Sequence, residues 1–520
     1  MTERFERHTR TFSLLTLVSR ITGLARDAAL SRIFGAAGVM DAFFFAFMIP
    51  NLFRRLFGEG AVSAAFLRAY AQLDKTDPPT AGRLATLTVA TLIVLLGCIT
   101  VAGELLLLGG LRFADSEQHL VVRLTMITLP YMPMVCLVAI LGSMLQVHGR
   151  FAPTAAVPIV MNLCLIAAVV GPVAIFSEQS RSGHITVVAA SLLAAGVLQL
   201  AWMVLALRGR RWPVRDAGAA WEPMRDVLRQ AGPMILGLGV LQLNVFLDGV
   251  IASYPTTVGP TILGKDYPLR EGAMAAVSYA QRLYQFPLGV FGIAVATTIF
   301  PALARQADDP QAFCDILRRG LRLVVFIGLP ASAGLMLVGP SLVRVIYEGG
   351  FFGAGDSQRV AFVLYGYASG VWAYSLIHVL TRAFYARGDP KTPVKVAAWM
   401  VLLNLVLNCT LIWTPLRESG LAWSTAISAT IQAFVLLGLV RRHAHGVLDA
   451  AVAACFVRTA VITTLMVGVV VGVLLVMPEA RSWPLLLLNL LVAVGAGSVV
   501  VYVSAAALRM PELRWATGVG

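Results

Sequence analysis

Long apolar runs separated by short polar stretches dominate the chain. Fourteen of them are long enough to cross a bilayer core, which takes about 20 residues of helix. They cover roughly 11–34, 41–67, 85–109, 121–147, 154–176, 185–207, 230–253, 275–300, 320–343, 360–381, 394–413, 420–440, 455–477 and 483–508. The first two hold charges and are weak by hydropathy, whereas the last two are nearly charge-free. The pattern predicts an all-α polytopic membrane protein, since helices satisfy every backbone group within one segment. The longest polar stretch, 208–229, divides six spans from the eight that follow. The expected organisation is a six-helix lobe over 1–208, a linker at 209–229, a second six-helix lobe over 230–441, and two further helices with a tail over 442–520.

Composition agrees. Of 520 residues, 58% are hydrophobic and 13% charged, against about 25% charged in soluble domains. A soluble multidomain enzyme and a disordered chain are both excluded. The formal net charge is +14, with 41 Lys and Arg against 27 Asp and Glu. In a soluble protein this would suggest nucleic acid. Here, alternating the fourteen spans from a cytoplasmic N-terminus puts 26 of the basic residues on inside segments and 8 on outside ones. That is the bias that sets membrane orientation, and it puts both termini in the cytoplasm. The six cysteines lie far apart with no CxxC pair, and no HExxH spacing occurs, so neither disulfide nor metal is expected. Arg20, Arg26 and Asp27 interrupt the first apolar stretch, which argues against a cleavable signal peptide.

The two groups of spans look like a repeat. Pro50 lies mid-span in the second helix and Pro287 in the eighth, each after an aromatic-rich run, DAFFFAFMIP and SYAQRLYQFP. Gly149 precedes Asn162 as Gly388 precedes Asn404. A period near 240 covers an even number of spans, which makes the repeat parallel. Chance alignment of Gly, Pro and Phe in apolar helices is the rival explanation.

The remaining seven basic residues, Arg20, Arg26, Arg32, Arg54, Arg55, Arg123 and Arg282, lie within spans. Each costs about 2.5–3.5 kcal/mol at mid-helix on insertion scales. Arg32 is near a span end and placed to snorkel. Arg55 and Glu59 are four apart, and Arg20 and Asp27 seven apart, so each pair shares a helix face and can neutralise itself. Arg26, Arg54 and Arg282 have no obvious local partner. Directed at a water-filled cavity, three guanidinium groups suit a phosphate or diphosphate. Pro50 and Pro287 bend their helices, either as packing geometry or as hinges. Asp248 is the one acid deep in the seventh span, and Asn404 and Asn408 share a face of the eleventh. Their oxygens suit a hard cation, although interhelical hydrogen bonding is the commoner use of Asn in membranes. GPTILGKD (259–266) matches GxxxxGK but continues into Asp266 on an outside loop, so it is not an ATP site.

The N-terminal block VSRITGLARDAALSRIFGAAGVMDAFFFAFMIPNLFRRLFGEGAVSAAF (18–66) closely resembles the MurJ (MviN) family, bacterial lipid II flippases of the multidrug/oligosaccharidyl-lipid/polysaccharide superfamily. SYAQRLYQFPLGVFGIAVATTIFPALAR (278–305) and AFYARGDPKTPVKVA (383–397) resemble it as well. The resemblance implies two pseudo-symmetric lobes around a cationic cavity, with helices thirteen and fourteen forming a groove for an undecaprenyl tail. It implies substrate-binding roles for Arg20, Arg26, Asp27, Asp41, Arg54, Glu59 and Arg282. Gln285 stands where the family often has an acid. Some members bind sodium, for which Asp248, Asn404, Asn408 and Thr425 are the nearest matches, with Asn408 in place of an Asp. The implied substrate is lipid II in the bacterial inner membrane, moved without ATP or another cofactor and driven by sodium, protons or membrane potential. Nucleic acid is not an expected partner. The rival readings are an exporter of another lipid-linked oligosaccharide, a drug/cation antiporter, which would favour intramembrane acids over arginine, and a membrane glycosyltransferase, which would need outer carboxylates.

Overall fold

The computed structural model describes residues 2–58, 60–112, 118–174, 181–209, 216–480 and 482–517. Almost all of them are helical. Backbone contacts divide the chain into two compact units, Met1–Ala275 and Ala276–Gly520.

The first unit holds α1 (Thr2–Phe34), α2 (Gly38–Phe53), α3 (Ala61–Thr76), α4 (Pro78–Gly110), α5 (Gln118–Thr128), α6 (Tyr131–Val147), α7 (Ala152–Val170), α8 (Arg181–Ala206) and α9 (Trp221–Thr257). Helix α1 packs on α7, and α7 on α8. Helix α9 begins at Trp221, inside the 209–229 stretch expected as a linker, and belongs to this unit because it packs on α2 and α3. A two-strand hairpin, β1 (Thr261–Ile262) with β2 (Lys265–Asp266), follows it. The GPTILGKD motif lies here. The next helix begins only at Ala273, so the lysine does not open a helix as a phosphate-binding loop requires.

Helix α10 (Ala273–Pro287) leads into the second unit, which continues through α11 (Ile293–Arg305), α12 (Pro310–Tyr347), α13 (Ala354–Ser369), α14 (Val371–Ala386), α15 (Lys391–Leu411), α16 (Ser419–Val440), α17 (Ala450–Val476), α18 (Trp483–Ala507) and α19 (Pro511–Thr517). Helix α12 is its spine and touches α13, α14, α17 and α18. One apolar core joins Leu317, Leu321, Val324, Val379, Leu380 and Leu436. A second joins Val338, Val345, Met466, Val470, Leu486 and Leu490, seating α17 and α18 on α12. The other faces of α17 and α18 leave Leu465, Leu475, Val476, Leu488 and Leu491 exposed.

Aspartates begin several of these helices. Asp77 accepts from the Thr80 amide, Asp309 from Gln311 and Ala312, Asp389 from Thr392 and Asp449 from Val452. Each satisfies donors that the first helical turn leaves open. Helices α6 and α14 both end at a left-handed glycine, Gly149 (φ 74°) and Gly388 (φ 72°). The bonds around them match: Gly149 to Gln146 and Arg150 to Leu145, Gly388 to Tyr385 and Asp389 to Phe384. This is the same stop in each unit, and it needs the positive φ that glycine supplies.

Both mid-span prolines adjoin a π-helical turn. Pro50 in α2 precedes Arg54–Gly58, and Pro287 ends α10 at Leu288–Gly292. Among the described residues, ten helical segments are long and apolar enough to cross a membrane. They correspond to ten of the fourteen expected spans. The other four fall on α1, on α2 with α3, on α9, and on α10 with α11, and these four elements carry most of the candidate residues.

Candidate functional site

Arg26 and Asp27 are neighbours on α1 and both are buried, at 6% and 3% exposure. The Arg26 Nε donates to Asp27 Oδ1 at 2.9 Å and Nη2 to the same oxygen at 2.6 Å. Its Nη1 donates to Asn162 Oδ1 on α7 at 3.0 Å. Asn162 in turn donates to the Ser19 carbonyl and to the Thr22 hydroxyl. This corrects two expectations. Arg26 has a local partner after all, and Asp27 pairs with it rather than with Arg20, which lies exposed on α1. Adjacent helical residues do not normally face each other, but the long arginine stem folds back far enough to reach. A guanidinium has five N–H donors, and three are used here. The pair is neutral as a whole, is fixed by α7, and retains two N–H groups in fixed orientation.

Arg54 opens the π turn. Its Nε and Nη2 both donate to Asn51 Oδ1, at 3.1 and 2.7 Å. Arg55 donates to Gln242 Oε1 on α9 at 3.1 Å. Both acceptors are neutral amides, and these contacts orient the guanidinium groups. The expected partner of Arg55, Glu59, lies outside the described residues.

Asp41 is fully buried on α2 and is a tether. Its Oδ2 accepts from the Gly272 amide at 2.6 Å and the Thr256 hydroxyl at 3.1 Å, and its Oδ1 from the Ala275 amide at 2.8 Å. A carboxylate at these amides satisfies the start of α10 and favours its positive end. Asp41 therefore caps the start of the helix on which Arg282 lies.

In the second unit, α10 separates two faces. Gln281 donates to the Tyr367 hydroxyl at 2.9 Å, and Tyr284 stacks on Tyr367 with ring centres 4.7 Å apart. Arg282, Gln285 and Phe286 lie on the exposed side, just before Pro287.

Asn404, Asn408 and Thr425 do meet, joining α15 to α16. Asn408 Nδ2 donates to Asn404 Oδ1 at 2.9 Å, Asn404 Nδ2 reaches Ser424 and Thr425 at 3.4 Å each, and the Ser424 hydroxyl donates to Asn408 Oδ1. These contacts make a hydrogen-bonded joint between the two helices. Asp248 is buried in α9 of the first unit. Among the described residues, no group of three or more His, Cys, Asp or Glu is arranged to hold a metal.

Several participants were missed in the sequence. Asn51 was legible, one turn before Arg54. Asn162 served only as a repeat marker there. Gln242, Thr256 and Ser424 sit far from their partners along the chain or among ordinary helix residues, with no local signal.

Comparison with known proteins agrees with this architecture. Residues 30–492 match the family model described as Lipid II flippase MurJ. A Vibrio cholerae protein named "Probable lipid II flippase MurJ" is 32% identical, over 97% of each chain. A Rhizobium tropici protein of the same name is 33% identical over 88% of this chain and 84% of its own. Among solved structures, "Lipid II flippase MurJ, inward closed conformation" superposes with a TM-score of 0.77 at 22% identity, covering 96% of this chain and 99% of that one. An inward-facing MATE family multidrug transporter of the MOP superfamily gives 0.65 at 14% identity, covering 84% and 95%. The second likeness shows a shared fold only. The family match and the curated relatives together place the chain in the MurJ family of lipid II flippases.

Proposed function

We propose that this chain carries lipid II, an undecaprenyl-diphosphate-linked peptidoglycan precursor, from the inner to the outer leaflet of the cytoplasmic membrane. The headgroup cannot cross hydrocarbon unaided because its charges would lose their water, while the polyprenyl tail can stay in lipid. The reading takes fourteen spans in two six-helix lobes plus α17 and α18, with both termini cytoplasmic. The four spans that are less apolar than the rest are the cavity helices, where charge is wanted. The exposed apolar faces of α17 and α18 suit the tail.

The observation that carries the reading is how Arg26 is held. Arg26 is fixed by Asp27 and by Asn162 of α7 through three of its five N–H donors, and a guanidinium oriented in this way suits diphosphate oxygens. The lobes alternate access, bending at the π turns beside Pro50 and Pro287. Membrane potential helps release the charge outward, at about 2.3 kcal/mol per charge per 100 mV. A cation antiporter would favour acids over arginine in its spans, and here seven arginines lie within them.

The test is leaflet-resolved accessibility of lipid II in cells depleted of the protein. Accumulation in the inner leaflet supports transport, and accumulation in the outer leaflet supports a polymerase instead. Arg26→Ala, Arg54→Ala and Arg282→Ala, correctly inserted, should each fail to restore outward movement. Full activity in all three removes the arginines from the path.

A further inference from the structure

The second unit holds a cavity of about 750 Å³ between the end of α12 and the start of α13. Its wall includes Arg344, Glu348, Ser357, Arg359, Phe362 and Tyr365. All of these lie far along the chain from the arginines discussed above, and none has a part in the transport reading.

The charges come in two balanced pairs. Arg344 donates to Glu348 at 3.1 Å. Glu348 also accepts from the Ser357 hydroxyl at 2.8 Å. Arg359 is bound to Glu418, which is itself buried. A guanidinium and a carboxylate therefore stand side by side on the wall, and the Arg344 side chain is 42% exposed. Beside them lie apolar groups, Pro340 and a Phe362 that is 41% exposed. Phe351 and Trp413 are also exposed in the neighbouring loops. Trp and Tyr at a helix end mark the membrane–water interface, and Trp413 and the cavity-lining Tyr365 are of that kind. The cavity thus sits at headgroup depth, at one end of a segment long and apolar enough to cross a membrane.

We propose that this cavity binds the headgroup of a zwitterionic phospholipid carrying a primary ammonium, such as phosphatidylethanolamine. The phosphate takes the Arg344 guanidinium and the ammonium takes Glu348, while Phe362 and Pro340 meet the start of the acyl chains. A purely anionic headgroup gains the first contact but faces Glu348. A quaternary ammonium lacks the N–H donors that Glu348 and Tyr365 can accept. The volume also exceeds what two side-chain ion pairs need, and Gly355 on the same wall faces open space.

The experiment uses the full chain purified in detergent, with lipid retention followed by native mass spectrometry as phosphatidylethanolamine, phosphatidylglycerol or phosphatidylcholine is titrated in. The expected order puts phosphatidylethanolamine first. Arg344→Gln with Glu348→Gln keeps side-chain size and removes both charges together. It should weaken that binding roughly ten-fold, the scale of one charge-assisted contact. Gly355→Leu fills the cavity from an open position and should do the same with thermal stability unchanged, so loss of binding is separable from misfolding. Equal retention of all three lipids, or unchanged binding in both variants, overturns the proposal. Soluble phosphoethanolamine should not compete at lipid concentrations, and if it does so equally well the membrane source is wrong. None of these readouts depends on transport, so a failure here leaves the flippase reading standing.

Discussion

The hydroxyl of Thr128 on α5 donates to the backbone carbonyl of Ala46 on α2 at 3.1 Å. Ala46 is four residues before Pro50, so its carbonyl is the one that the missing proline N–H leaves open. The same arrangement recurs in the first unit. Tyr267 donates to Ile251, four before Pro255, at 3.0 Å, and His184 Nε2 lies 3.1 Å from the Ala168 carbonyl, four before Pro172. A side chain from a neighbouring element stands in for each lost helical bond, as a bilayer interior requires.

Thr128→Val should therefore destabilise the protein by about 1–2 kcal/mol, while Thr128→Ser should cost little. The mechanism is tested by combination. With Pro50→Ala the new amide reaches Ala46, so Thr128→Val becomes nearly silent in that background. Thermal unfolding of the four proteins in detergent measures this coupling, and equal costs in both backgrounds would refute it.

The Arg26–Asp27 pair makes a different prediction. Asp27→Leu leaves a buried guanidinium without its carboxylate and should cost about 3–5 kcal/mol. Arg26→Met added to it removes the stranded charge and should return most of the stability. Outward movement of lipid II should stay lost in the double variant. Recovery of both would make Arg26 a purely structural residue.

At the other end of the chain, Glu512 of α19 is 1% exposed and takes Arg322 of α12, with Nη2 at 2.5 Å and Nε at 2.6 Å. The Trp515 ring lies 4.7 Å from the Arg319 guanidinium and 5.0 Å from that of Arg322. Glu512→Ala should release α19 and cost about 2–3 kcal/mol, less than a fully buried pair because Arg322 keeps some solvent. Hydrogen exchange over 508–517 should rise sharply in that variant. Trp515→Leu should raise it less, on the scale of about 1 kcal/mol for lost cation–π contact.

Acid sensitivity should centre on Asp389, in the loop before α15. The Thr392 hydroxyl, donating at 2.6 Å, is the main reason its carboxyl titrates below the ordinary value, with the Thr392 amide and His443 adding to it against the opposing effect of partial burial. A depressed folded-state pKa means that the cap contributes in full above the unfolded carboxylate range, near pH 4, and is lost as pH falls through the lower folded value. Unfolding followed from pH 6 to pH 2 should show a smaller acid loss for Asp389→Asn than for the parent chain. An identical acid limb in the two proteins would remove Asp389 from the explanation.

Much of the helical organisation was readable because it rests on local composition. Ten of the expected spans needed only apolar length, and the prolines announced where two helices would depart from regularity. The glycines at 149 and 388 were noticed as repeat markers, and their positive φ explains why the residue type is required. What escaped were relationships across helices. Nothing near Asp41 along the chain says that it will cap a helix more than 230 residues later. Nothing near Arg26 points to Asn162. Its pairing with Asp27 contradicts the usual helix spacing and depends on side-chain reach. Periodicity records which way a side chain faces, but its partner is set by tertiary packing.

The π turn at Leu288–Gly292 lies inside a run of helix that continues from Ala273 to Arg305. Such a turn holds one residue more than an α-helix would, and each residue advances a helix by about 100°. The two halves of this rod are therefore out of phase. In an unbroken helix Phe300, five turns on, would share the azimuth of Arg282, but with the inserted residue that place passes to Pro301. Deleting any single residue from 288–292 should relax the turn to α geometry and rotate everything beyond it. Buried Val295, Ala296 and Leu303 would swing away from their core. In this segment a one-residue deletion acts as a rotation, and its damage should far exceed that of the same deletion in a loop.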